Sequence, residues 1–209
     1  MTDIPALVAA FTTLFIIIDP PALAPLFIAM TQGVSDAQRR HIALRACGVA
    51  AVLMLIFIFL GEAVLAFIGI SMPAFRIAGG VLLFLTALDM LFQRRQKRRQ
   101  ENVDEADQEH HDDPSVFPLA IPLIVGPGAI TTLILLAGQA NGATDFAAII
   151  GVTFLNLVLV FLTFLAAPFI ERAMGRTGIT VITRLLGMLL AALAVQFILD
   201  GLRSFGMAG

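Results

Sequence analysis

Six long apolar runs, at about 5–31, 43–66, 74–93, 116–138, 146–170 and 180–202, alternate with short polar or charged interruptions along this chain. Each is long enough to cross the roughly 30 Å hydrocarbon core of a bilayer as a helix, which takes about 20 residues. Two of the six are interrupted from within. In the first, Ile17-Ile18-Asp19-Pro20-Pro21-Ala22-Leu23 places an acid and two prolines in mid-span. A charge at that depth costs roughly 2.5–3.5 kcal/mol on insertion scales, so an acid there is expected to have a function. Asp is a preferred N-cap and proline suits the first helical turn. The local chemistry therefore predicts one half-helix ending before Asp19 and a second, capped by Asp19, starting at Pro20. In the fourth run Val125-Gly126-Pro127-Gly128-Ala129-Ile130 uses the same device, with Pro127 following Pro20 by 107 positions.

The correspondence extends along both halves. Gly69-Ile70-Ser71 is answered by Gly178-Ile179-Thr180, Arg76 by Arg184 and Gly79 by Gly187, at offsets of 108–109. Three spans per copy would send the second copy into the membrane from the opposite face. The pattern thus predicts an all-helical membrane protein of two inverted three-span repeats, 1–93 and 116–209, with helices 1 and 4 broken. Residues 94–115 would join them as a charged cytoplasmic linker. Arg94, Arg95, Lys97, Arg98 and Arg99 stop the third span, and the acidic stretch from Glu101 has too little apolar surface to fold, so disorder is expected.

Composition agrees with the pattern. The 209 residues are 59% hydrophobic and 13% charged, with a mean hydropathy of +0.95, well beyond the roughly 45–50% apolar content of soluble domains. No nucleic-acid footprint is present, and the net charge of −2 hides a sorting by position. With Arg76 and Arg184 at helix ends, ten of the other eleven basic residues fall after runs 1, 3 and 5, and only Arg203 falls elsewhere. The positive-inside rule makes those loops cytoplasmic and puts both termini on the periplasmic face of a bacterial inner membrane. Tyr and Trp are absent, which leaves interfacial anchoring to arginine. Cys47 is the only cysteine, which excludes an internal disulfide and a thiolate metal cluster and leaves it a packing role. The first run lacks a basic leader and an A-x-A site, so it reads as a retained span.

The breaks carry the candidate chemistry. A half-helix N-terminus presents unpaired N–H groups and about half a positive charge, a ready anion site. Gly126 and Gly128 leave that end bare around Pro127, with Thr131 and Thr132 one turn on, so a carboxylate would fit there. Asp19 covers the corresponding end at Pro20 and Pro21, which would suit a cation, an ammonium or a proton, with H+ or Na+ the possible coupling ion. Together the two ends would match a zwitterion; the plain alternative is two helix kinks, with Asp19 a satisfied cap. Glu62 and Arg76 lie at the outer ends of spans 2 and 3, and Glu171 and Arg184 at the inner ends of spans 5 and 6. They could pair as gates or simply snorkel at the interface. Asn156 and Gln196 could line a path or bond between helices. Asp89 and Asp200 read as interfacial. His110, His111, Asp112 and Asp113 resemble a metal cluster, but on an acidic linker a solvated run is the better reading. No hydrolase, metalloprotease or nucleotide-binding signature occurs, so no catalytic residue and no cofactor is expected.

The Asp19-Pro20-Pro21 break, the run Pro122-Leu123-Ile124-Val125-Gly126-Pro127-Gly128-Ala129-Ile130-Thr131-Thr132 and the six spans in two halves resemble the MarC family of integral membrane proteins, over nearly the whole chain. Pro21 departs from the glycine or other small residue that the family often has there. The resemblance implies transport of small neutral amino acids such as glycine or alanine, as in the SnatA-type members, with an ion gradient as the driving force. Export of other small metabolites or drugs, or a membrane protein without transport activity (an intramembrane enzyme or a regulatory subunit), are the competing readings. Substrate, direction, coupling ion and oligomeric state are open at this stage.

Overall fold

The computed structural model describes residues 4–94, 99 and 114–205, with Arg176 described in its backbone only. The described chain is helical throughout: α1 Ile4–Ile18, α2 Pro20–Met30, α3 Asp36–Ile68, α4 Met72–Leu91, α5 Ser115–Ile124, α6 Pro127–Ala137, α7 Ala143–Leu165 and α8 Ala167–Ser204. Five spans are long and apolar enough to cross a membrane: Ile4–Met30, Asp36–Ile68, Met72–Leu91, Ala143–Leu165 and Thr177–Ser204. The bent pair α5–α6 makes a sixth if counted as one. The chain is thus an integral, multi-pass membrane protein. Most of the linker, including His110, His111, Asp112 and Asp113, lies outside the described residues.

Local chemistry sets the element ends. Helix α3 starts seven residues earlier than the hydrophobic run, because Ser35 and Gln38 form a capping box: Ser35 Oγ accepts from the Gln38 N–H at 3.3 Å, and Gln38 Oε1 accepts from the Ser35 N–H at 3.1 Å. Arg39, Arg40 and His41 are therefore on a helix rather than in a loop. Ser71 caps α4 through the Ala74 N–H. Helix α8 carries a break that hydropathy does not disclose, at Gly175, whose φ of 59° and ψ of 177° suit only glycine.

The broken spans occupy the middle of the molecule. Leu14, Ile17, Leu23 and Phe27 of α1–α2, and Leu119, Leu123, Leu133 and Leu135 of α5–α6, are buried. The other helices surround them and turn Val52, Phe59, Val64, Leu85, Val158 and Leu189 outward. An exposed apolar belt of this extent marks a lipid-facing surface. Span 1 packs on span 5 through the Phe27–Phe164 stack, with ring centroids 4.3 Å apart, and span 2 meets span 4 where Gly61 faces Ile134. Helices α4 and α8 run together at close range. A Cβ on Gly80 would lie 2.8 Å from the Ala194 carbonyl, and one on Gly187 would lie 2.9 Å from Met90 Cβ. Small residues let backbones approach in this way inside lipid, where apolar side chains gain little by leaving the acyl chains. Gly80→Leu is expected to separate α4 from α8 and lower the thermal midpoint of the purified protein by several degrees, whereas the same change at open Gly48 should not.

Candidate functional site

Two adjacent prolines decide the first break. Pro20 and Pro21 have no N–H to give to the carbonyls of Ile16 and Ile17, and the Ala22 N–H goes to the Asp19 carbonyl at 3.0 Å instead of to Ile18. The last turn of α1 therefore lacks its ordinary ladder donors at membrane depth. Asp19 turns the corner in the left-handed region, with φ 56° and ψ 62°, a conformation that Asp tolerates better than most residues. Its side chain does not cap α2. The expected N-cap fails because this backbone turns the carboxylate away, toward α8, where Oδ1 accepts from Thr183 Oγ at 3.4 Å. Asp19 is fully buried, and Oδ2 has no hydrogen-bond partner among the described residues.

The second break is sharper, and α5 and α6 meet at 61°. Pro118 and Pro122 hold Phe117 and Ile121 in extended backbone, both X–Pro peptides being cis. The remaining bonds of α5 open to five-residue spacing, Leu119 N to Pro114 O and Val125 N to Ala120 O. Beyond Gly126 the α6 ladder starts with Ile130 N to Gly126 O at 3.1 Å. No side chain caps this end, and the N–H groups of Gly128 and Ala129 precede the first ladder bond.

The breaks adjoin. An ideal Cβ on Gly128 would lie 3.1 Å from Ile17 Cγ2, and Ile17 together with Gly126, Pro127, Gly128 and Ala129 lines a cavity of about 300 Å³. Two charges complete its wall, Asp89 of α4 and Arg99 from the segment beyond it. Arg99 is 5% exposed and donates from Nη2 to the Ile18 carbonyl at 2.9 Å, so a guanidinium meets the C-terminal end of α1. A cation is favoured at a helix C-terminus by the dipole as well as by the hydrogen bond. The result is a mainly apolar cleft, open past Leu82 and Leu85, into which a guanidinium, a carboxylate, the Thr86 hydroxyl and a bare helix N-terminus bring polar groups. Its donors suit an anionic group and its acid a cationic one, within one small molecule.

The residues singled out from sequence divide in consequence. Gly126, Pro127 and Gly128 line the cavity, whereas Asp19, Pro20, Pro21, Thr131 and Thr132 do not. Thr131 is buried with its methyl against Gly79, and Thr132 Oγ is buried without a hydrogen-bond partner among the described residues. Among the described residues Glu62 makes no ion pair with Arg76, nor Glu171 with Arg184. Glu62 and Arg184 are exposed. Gln196 is exposed and donates to Asp200 Oδ1 at 2.8 Å, one helical turn away. Asn156 is fully buried and donates to Val152 O at 3.0 Å and to Phe11 O at 3.4 Å, tying span 5 to span 1. From the sequence alone Asp89 is an interfacial acid and Arg99 part of a stop signal; the structure places both in the cavity wall. The missed clue was donor counting: two consecutive prolines at a helix end inside lipid require a cation or a donor from elsewhere in the chain.

The comparisons with known proteins agree with this architecture. The chain is 40% identical to a UPF0056 membrane protein of Archaeoglobus fulgidus over 199 residues, covering 93% of this chain and 91% of that one. A UPF0056 membrane protein of Aquifex aeolicus is 36% identical, with 94% and 92% covered. The UPF0056 membrane protein YhcE of Escherichia coli is 33% identical, with 96% and 94% covered. No solved structure matches the chain. The model of the MarC family of integral membrane proteins matches residues 4–205, and with relatives of this identity and coverage the chain belongs to that family.

Proposed function

We propose that this protein is a secondary transporter of small neutral amino acids, of the glycine and alanine type, working by alternating access, with its cargo held in the cavity between the two breaks. The single observation that carries this reading is the convergence of Arg99, Asp89 and the bare N-terminus of α6 on one chamber of about 300 Å³. That is the low end of the size range for small-molecule sites. Arg99 and the Gly128 and Ala129 N–H groups would take the carboxylate, and Asp89 the ammonium. A cargo neutral overall but charged at both ends would lose water on entering and recover its interactions from these groups.

The inverted repeat belongs to the same reading. Its support is the reciprocal packing, span 1 on span 5 and span 2 on span 4, around the paired third helices α4 and α8. Two breaks in corresponding positions of such halves are the usual place for a midplane site. The termini are then periplasmic and the loop after α4 cytoplasmic. Reporters fused after Gly209 should report the periplasm and those inserted near Asp107 the cytoplasm, and a cytoplasmic C-terminus would overturn the orientation.

The functional test is uptake of labelled glycine and alanine by proteoliposomes containing only this protein. Saturable, counterflow-competent flux is expected for both, with competition by other small zwitterions and none by methylamine or acetate, each of which carries half of the charge pattern. Equal competition by the half-molecules would remove the zwitterion site, and no flux under any imposed gradient would remove transport.

A further inference from the structure

The cleft has a property that an amino-acid site does not require: its mouth faces hydrocarbon. Leu82 and Leu85 line it and are 44% and 53% exposed, in the same outward belt of α4 as Val81 and Phe84, and Pro127 on the other rim is exposed too. These residues belong to α4 and to the bent pair α5–α6, all of membrane-spanning character. The opening is therefore sideways, into the acyl layer. Polarity is graded along it. Asp89 is two residues from the C-terminal end of α4 at Leu91, and beyond that end the chain enters the basic run. Leu85 and Leu82 are about 6 and about 10 Å further along the helix, toward the middle of the span. Charge thus lies nearer the membrane surface and apolar wall lies deeper, which is the order of a phospholipid.

We propose that this cleft also takes a membrane lipid with a phosphoethanolamine head, which enters from the bilayer and competes with the amino-acid cargo. The lipid uses the groups that the cargo reading assigns to a zwitterion, and so depends on that assignment. Its phosphodiester meets the Arg99 guanidinium and the Gly128 and Ala129 N–H groups, and its ammonium meets Asp89. An acyl chain leaves past Leu85 and Leu82 without meeting water. The other common heads fit less well. Choline has no N–H to give to the carboxylate, and a glycerol head brings no cation to a cleft that holds an acid. A lipid is already present in the layer onto which the cleft opens, so its effective concentration is set by membrane composition rather than by solution. Apparent affinity for the cargo then depends on the share of phosphoethanolamine lipid in the bilayer.

The test supplies the purified full-length protein in mild detergent with phosphatidylethanolamine, phosphatidylcholine and phosphatidylglycerol of identical acyl chains in equal amounts. Retained lipid is counted by native mass spectrometry. Retention of one phosphatidylethanolamine is expected, with the other two at background, and excess glycine should displace it. Asp89→Asn should bring phosphatidylethanolamine down to the phosphatidylglycerol level, and Arg99→Ala should abolish retention. In proteoliposomes, replacing phosphatidylcholine by phosphatidylethanolamine should raise the half-saturating glycine concentration severalfold. Equal retention of the three lipids overturns the lipid site, as does retention that glycine leaves unchanged. Both outcomes are read on the native protein, so they stand even where a variant fails to fold. Native retention in a folded Asp89→Asn protein overturns the site as well. Glycine flux without any selective lipid retention removes the lipid and leaves the cargo reading. Retained phosphatidylethanolamine that glycine displaces, in a protein without flux, removes transport and leaves the shared site.

Discussion

Arg99→Ala is expected to abolish amino-acid flux in proteoliposomes although the protein still inserts in the bilayer. The guanidinium has two tasks in the structure. It meets the α1 end through the Ile18 carbonyl at 2.9 Å, and among the described residues it is one of two charges in the cavity wall. Removing one partner of a buried, charge-assisted contact typically costs 2–5 kcal/mol, so apparent affinity for glycine should fall by at least about thirtyfold. Arg99→Lys separates the tasks. Lysine keeps the positive charge and can still donate to a carbonyl, but it cannot grip a carboxylate with two parallel N–H groups. Its variant should therefore remain as stable as the native protein and lose affinity for glycine while keeping its maximal rate. Asp89→Asn provides the matching arm, weakening glycine while affecting a carboxylate without an ammonium far less. Native flux in Arg99→Ala would show that the cargo is bound elsewhere and reduce Arg99 to a helix-end cap.

Why Arg99 escaped the sequence reading, when the breaks did not, has a physical answer. Pro20-Pro21 and Gly126-Pro127-Gly128 act on their own backbone, so their effect is written within a few residues, and both breaks occur where the sequence puts them. The six runs are legible for the same reason: lipid imposes length and apolarity on each span separately. Long-range chemistry is not local. That Asp19 turns to Thr183 rather than capping α2 depends on a contact 164 positions along the chain, and the basic run at 94–99 contains five candidates for the cation at the end of α1. The polar residues chosen by depth alone fared unevenly. Asn156 is a buried tie between spans, as one of its two readings held, whereas Gln196 satisfies its own helix neighbour and faces outward. Depth in a span says that a polar group needs a partner; it does not say whether that partner is a helix, an ion or a cargo molecule.

The junction of the breaks predicts a graded series at Gly128. An ideal Cβ there would lie 3.1 Å from Ile17 Cγ2 and 3.3 Å from Leu83 Cδ2, closer than ordinary contact but short of a collision that only backbone movement could relieve. Gly128→Ala should thus be accommodated by small shifts of two side chains, with flux reduced and stability nearly native. Gly128→Val adds two methyl groups in the same crevice. Overpacking of that kind costs about 1–3 kcal/mol, and here the strain falls between α1 and α6, which both line the cavity. Flux should vanish, and the thermal midpoint should fall. A loss of flux could also come from a bulky group shielding the Gly128 and Ala129 N–H donors, and a compensating change distinguishes the causes. Ile17→Ala returns the space that Val takes, so the Gly128→Val/Ile17→Ala pair should regain stability as a coupled pair does. If the breaks serve only as packing kinks, flux should return with stability. If the bare N-terminus of α6 binds the cargo carboxylate, the double variant should be stable and still inactive toward glycine, because a β-branched side chain at the second helical position remains beside the donors.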